Sequence, residues 1–214
     1  MYENPKFNQN NEKILCERNG KNSDMLMDIR VKILKAGETM TFCEAENETA
    51  LLLMAGDVDF VFDGKTENAK RRSPFLDKAT AIHFARNNTV TVKANEESRI
   101  VIEQTDNSND FGVHYYKGED MTVQHFGADQ WDGAADRQVL TVFDYENAPY
   151  SNLVLPLRFV GESLGCRVEW LAKSRRIIIR SPRSTTTNLI SRRASASALT
   201  ETIAIRWVTR AVFA

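Results

Sequence analysis

The strongest constraint on this chain is a period of two. In "DIRVKILKAGETMTFCEA" (28–45) apolar residues fall at Ile29, Val31 and Ile33, break at Ala36-Gly37, and resume at Met40 and Phe42. In "TALLLMAGDVDFVFDGKT" (49–66) Val58, Phe60 and Phe62 share one face, and Asp63-Gly64 follows as a pair that accepts the positive φ angles of a tight hairpin. "TAIHFARNNTVTVKANEESRIVIEQT" (80–105) adds short strands around Ile82 and Phe84, Val90 and Val92, and Ile100 and Ile102, punctuated by Asn87-Asn88 and Asn95-Glu96. "RQVLTVFDYENAPYSNLVL" (137–155) adds two more around the turn "DYENAP". Alternation of this kind marks half-buried strands, and turn signals about every 8–12 residues mark a sandwich or closed barrel. No long amphipathic helix is apparent before residue 155, so the expected fold is all-β, a jelly-roll or small barrel.

A second texture begins near Leu155. Leu157, Val160 and Leu164 recur at helical intervals, with Gly165 as a helix stop. "CRVEWL" and "RIIIRS" then read as strands joined by the turn "AKSR". The charge changes with it: residues 1–155 hold 17 Lys+Arg against 26 Asp+Glu, whereas residues 156–214 hold 11 against 3. Such a step fits a junction between segments of different origin. From Pro182 the chain is rich in Ser, Thr, Ala and Arg and has too little apolar surface to offset the entropy of ordering, which predicts a disordered, basic tail over 182–214.

The remaining composition excludes more than it assigns. No apolar run approaches the roughly 18 residues of a membrane span. The polar start "MYENPKFNQNNEK" has no apolar signal core, which predicts a cytoplasmic chain with no membrane or nucleic-acid partner. Cys16, Cys43 and Cys166 form no C-x-x-C pair and read as free, partly buried thiols. "RNG" (18–20) and "FGVHYYKGED" (111–120) lack the glycine spacing of a phosphate loop, and no Asp/Glu pair is marked by spacing as general acid and base. "KRRSP" (70–74) reads as a solvated turn rather than an anion site. Trp131 reads as core or interdomain packing, with a sugar-facing role as the alternative.

Four fragments in order, "ALLLMAGDVDFVFDG" (50–64), "RRSPFLDKATAIHFARNNTVTVKA" (71–94), "HFGADQWDGAADRQVLTVFD" (125–144) and "NAPYSNLVL" (147–155), together resemble the amino-terminal half of the 5-deoxy-glucuronate isomerases. These are bicupins of bacterial myo-inositol breakdown, related to uronate isomerases of pectin breakdown. The resemblance covers about residues 1–155 and implies two packed cupin barrels with catalysis in the second. It also implies an aldose–ketose isomerisation of a sugar acid, 5-deoxy-D-glucuronate to 2-deoxy-5-keto-D-gluconate, with a divalent Zn or Mn ion as Lewis acid. Cupins hold such an ion with three His and one Glu. "LPLRFVGESLGCRVEWLAKSRRIIIRS" (155–181) is similar to a second family, the copper amine oxidase N-terminal-like repeat, a non-catalytic and usually extracellular module.

The metal motif is missing from the place where the resemblance would put it. "SNLVL" leads into "PLRFVGESLG", and no His follows residue 125. His83 should face opposite to Ile82 and Phe84, as a surface or satisfied structural residue. His114 should pack among aromatics, and His125 should sit at a loop edge. The expected division is a first cupin over 1–136, the start of a truncated second cupin over 137–155, a small helix-strand-strand segment over 156–181, and the tail. No catalytic residue, metal ligand or cofactor is assigned to this chain. By lineage it reads as an inactive isomerase, or else as a non-catalytic cupin fragment or interaction module able to pair with a full-length homologue through sheet edges left open.

Overall fold

The computed structural model describes residues 5–74, 76–126, 137–160, 167–170 and 173–174, with backbone alone for 137–138, 157–160 and the last two stretches. A first group of strands comprises β1 (Glu12–Cys16), β2 (Asp28–Leu34), β3 (Thr39–Phe42), β4 (Asn47–Phe62), β5 (Lys65–Arg71), β6 (Thr80–Phe84), β7 (Val90–Ala94), β8 (Ser98–Asp106) and β9 (Val113–Tyr116). A second comprises β10 (Thr122–Phe126), β11 (Arg137–Phe143), β12 (Leu153–Val160), β13 (Arg167–Trp170) and β14 (Lys173–Ser174). The described residues thus form the expected all-β architecture.

Strand β4 organises the barrel because it belongs to two layers. Its first half, Asn47–Ala55, pairs with β6 and β8 in the layer β1-β2-β8-β4-β6-β9. Its second half, from Gly56, pairs with β5 and β7, and β3 completes that layer against β7. The corner between them is a bulge at Leu53/Ala55 followed by Gly56 at φ 116°, a value that glycine reaches without a Cβ penalty. The Asp63-Gly64 hairpin is where the sequence puts it, with φ of 48° and 70°.

Two apolar cores lie on opposite faces of the larger layer. The inner one fills the barrel with Leu51, Leu53, Val58, Phe60, Phe62, Ile82, Phe84, Val90, Val92, Ile100 and Ile102. The outer one joins Ile29, Val31, Ala50, Leu52 and Val101 to Leu140, Val142, Phe143, Ala148, Leu153 and Leu155. This explains "ALLLM", where alternation fails: odd and even positions of that strand are both buried, against different partners. Each fully buried Leu or Phe of this kind contributes about 1.5–3 kcal/mol.

The described strands correct the reading of residues 155–174. β12 runs from Leu153 to Val160, so Leu157–Val160 extend a strand instead of opening a helix. The series Leu153, Leu155, Leu157, Phe159 has period two and is paired in register with β11, which overrides the three- and four-residue spacing of Leu157, Val160 and Leu164. Pro156 pairs with Thr141 of β11, and on its other side the described pairing of β13 stops at Leu157 and that of β14 at Val154, so no described ladder bond there calls on its missing N–H. Arg167–Trp170 is a strand as expected, but Lys173-Ser174, read as part of a turn, pairs with β12. Gly165, "RIIIRS", Trp131, Cys166 and the tail lie outside the described residues.

Among the described residues no helix is long and apolar enough to cross a membrane.

Candidate functional site

The inner core decides what the barrel can hold. Its interior is packed by Phe42, Phe60, Phe84 and branched aliphatics, with Phe42 and Phe84 in edge contact at 6.2 Å between centroids. No histidine belongs to it.

The polar chemistry lies on the opposite face, under residues 140–155. His83 does face away from Ile82 and Phe84, and of the two readings it takes the buried, structural one. Its ring stacks on Phe143 at 4.2 Å and 8°, and contacts Phe111 at 4.8 Å. His83 Nε2 lies 3.3 Å from Glu48 Oε2 and 3.4 Å from Ser151 Oγ, while Nδ1 has no hydrogen-bond partner. Burial pushes the imidazole below its ordinary value, against the pull of Glu48.

Glu48 is the hub. Its Oε2 accepts from Asn107 Nδ2 at 3.0 Å, and its Oε1 accepts from the backbone N–H of Asn152 at 2.7 Å. Asn107 Nδ2 also donates to Tyr150 O at 2.8 Å, and Asn152 Nδ2 donates to Asp106 O at 2.9 Å. Ser151 Oγ accepts from Leu153 N–H and donates to Leu153 O, closing its own turn. The segment 150–153 is therefore tied to the barrel by hydrogen bonds as well as by apolar contact.

A Ser, a His and a Glu in contact invite comparison with a nucleophilic triad, but the geometry refuses it. A general base must accept from the nucleophile at one ring nitrogen and be oriented through the other. Here serine and glutamate converge on the same Nε2. Ser151, His83 and Glu48 are all at 1% exposure or less, out of reach of a substrate.

The three histidines do not assemble a metal centre either. His83 and His114 are register partners on β6 and β9, and His114 packs among aromatics as expected, 5.4 Å from Tyr150 and 6.1 Å from Phe111. His125 is in strand β10, not at a loop edge, and is exposed. Among the described residues no three His, Cys, Asp or Glu side chains are grouped to hold an ion. The donors present do not fit a three-His, one-Glu cupin centre, because His83 is spent on Glu48 and Ser151 and its ring is stacked on Phe143.

Three other charged groups depart from the sequence reading. Arg71, placed in a solvated turn, is at 1% exposure and donates to Leu53 O, Asp77 O and Pro74 O, with burial lowering it to about 10. Glu48 and Glu103 carried no signal, since a single carboxylate inside an alternating strand reads as its solvated face. Cys16 and Cys43 are free, one buried and one exposed.

A family model described as the KduI/IolB family matches residues 1–163. Among solved structures, an IolB-like protein from Salmonella typhimurium LT2 is 20% identical, with a TM-score of 0.56, covering 63% of this chain and 50% of that one. Ylba from E. coli is 13% identical at a TM-score of 0.50, covering 68% and 54%. A cupin superfamily protein from Desulfitobacterium hafniense DCB-2 is 10% identical at 0.36, covering 45% and 76%. At these identities the likeness to the IolB-like protein and to Ylba is one of fold, and the chain spans about half the length of the IolB-like protein. No curated protein matches.

Proposed function

The chain belongs to the KduI/IolB family, and from that membership we propose that it descends from the isomerases converting 5-deoxy-D-glucuronate to 2-deoxy-5-keto-D-gluconate in cytoplasmic myo-inositol catabolism, supplying their scaffold barrel without their metal centre. One observation carries this reading. Apolar side chains pack the barrel interior around Leu51, Phe60, Ile82 and Ile102, beside a buried Thr49–Gln104 pair on the same face, while His83 and His114 lie on the opposite face of that sheet and His125 on the second sheet. A divalent Lewis acid would polarise the substrate carbonyl, and without ligands to hold it the barrier reduction it provides is lost. The sugar acid and the Zn or Mn ion therefore belong to complete relatives. The reading calls for no nucleic-acid or membrane partner.

The test is direct. The purified full chain is dialysed against Mn²⁺ or Zn²⁺, assayed for bound metal, and offered 5-deoxy-D-glucuronate. The expected result is substoichiometric metal and no isomerase turnover. One tightly held ion per chain together with measurable turnover overturns the proposal.

A second reading, a scaffold that pairs with a full-length homologue, is favoured by β10. That strand is exposed at all five residues, including Val123 and Phe126, and among the described strands its ladder partner is β11, at the end of the sheet order. Sedimentation of the chain mixed with a full-length family member distinguishes the two: a heteromeric species supports pairing, and independent sedimentation rejects it.

A further inference from the structure

One buried group has no role in any of this. Glu103 lies on β8 at 1% exposure, and neither carboxyl oxygen has a hydrogen-bond partner. Strand register sets its surroundings: Cys16, Ile29, Glu103, Ala50, His83 and His114 form one row across β1, β2, β8, β4, β6 and β9. Glu48, two residues before Ala50, shares that face. The roof is Phe143, Ala148, Leu153 and Leu155.

Two carboxyl groups thus stand under one apolar roof. Glu48 is an acceptor for two N–H donors from Asn107 and Asn152 and contacts His83, whereas Glu103 has nothing to offset a charge. An ionised, unpaired carboxylate in such a place is costly, and a second negative charge nearby makes it more so. We propose that Glu103 is carried as a neutral carboxylic acid beside Glu48, and that its ionisation at alkaline pH releases the 139–156 segment from the first barrel. The device is a pH-sensitive latch at the junction between the barrel and the second sheet.

The other titratable groups on this face do not reverse its sign. Cys16 is raised to about 12 by burial and by nearby Asp28, Asp24 and Glu17. Tyr116 is raised by burial, then by Tyr150. His83 and His114 are both lowered, chiefly by burial, so they are neutral in the alkaline range. Lys13, at 4% exposure, stands over the Phe7 ring at 4.9 Å on the β1 edge. Glu103 itself is raised well above the ordinary carboxylate range, first by burial and then by Glu48. In the docked state it keeps a proton that the released state gives up. Docking therefore weakens as pH rises from the ordinary glutamate value toward the docked one, by about tenfold in the equilibrium constant per pH unit.

The experiment follows amide exchange at Asn152 and Leu153 in the full chain between pH 6 and 9, corrected for intrinsic rates, in wild type and in Glu103→Gln. Wild-type protection should fall about tenfold per pH unit, while amides of β4 and β8 stay protected. The variant should show no such slope. An equal slope in both proteins overturns the latch. Infrared spectroscopy of the wild type supplies a readout that does not depend on the variant folding. A protonated-acid C=O band at pH 7 supports the proposal, and its absence refutes it.

Discussion

Adding one methyl group at the barrel corner should cost the protein much of its stability. Gly56 holds φ at 116°, and a Cβ built there would lie 2.6 Å from both Cα and Cβ of Ser98. Ser98 is fully buried, accepts from Asp57 N–H at 3.1 Å and donates to Glu96 O at 2.8 Å. Gly56→Ala therefore incurs about 1–3 kcal/mol of backbone strain. Displacing Ser98 adds about 1–3 kcal/mol of overpacking and about 1 kcal/mol for each hydrogen bond weakened. With one or two of those bonds weakened the expected loss is roughly 3–8 kcal/mol, against about 5–15 kcal/mol for a whole domain. Gly37→Ala is the control: φ there is 83°, but nothing lies within 4 Å, so only the backbone penalty of about 1 kcal/mol should appear. Urea denaturation of both variants measures the difference. A Gly56→Ala loss below about 1 kcal/mol, or one equal to that of Gly37→Ala, would refute the claim that close approach to Ser98 sets this corner.

Peptide-resolved alkylation of the native protein should label Cys43 early and Cys16 only on unfolding, because the Cys16 thiol is buried, donates to Met27 O at 2.9 Å and is raised to about 12. Comparable native rates at the two thiols would contradict that burial. Asp77 should titrate in a carboxyl NMR experiment at about 2, held down first by the Arg72 side chain and backbone. Its contribution is present above the ordinary aspartate value and lost as pH falls toward 2; Arg72→Ala should raise the midpoint toward the ordinary range, with the backbone N–H at position 72 still holding it below.

Strands β2 to β4, β6 to β8, β11 and the start of β12 were legible because burial on one side writes itself as alternation, whereas β1, β9 and β10, each only four or five residues long, were not picked out. β5, "KTENAKR", escaped notice because six of its seven residues are polar: it covers an edge of the barrel with Ala69 and Arg71 as its buried positions. The helix expected from Leu157 failed for a related reason. A strand's period of two and a helix's mixed threes and fours both fit a short run of Leu, Phe and Val, and only pairing with β11 separates them. The polar cluster was harder still. Glu48, Glu103 and His83 come from three strands, and what makes them a cluster is cross-strand register plus a roof more than 35 residues further along the chain. No local window contains that information. His83 was half legible: alternation fixed which way it points, but not that residues 143–153 would bury it.

The family match to residue 163 and the unbroken run of β12 through Leu155 place no structural discontinuity at that residue, although the charge reverses there and the histidines have already ended. The two kinds of information reside in different atoms. A sheet ladder is made by backbone N–H and C=O groups that nearly every residue carries, so a slot beside β12 accepts any short alternating segment, and "RVEW" at Arg167–Trp170 fills it. A metal centre is made by side chains that must be imidazoles and a carboxylate at fixed positions. A substitution of sequence beyond the barrel can therefore leave strand pairing in place while removing every ligand. Placing imidazoles on strands beside β12 tests this division: metal retention without change in the first barrel's stability is the outcome it requires.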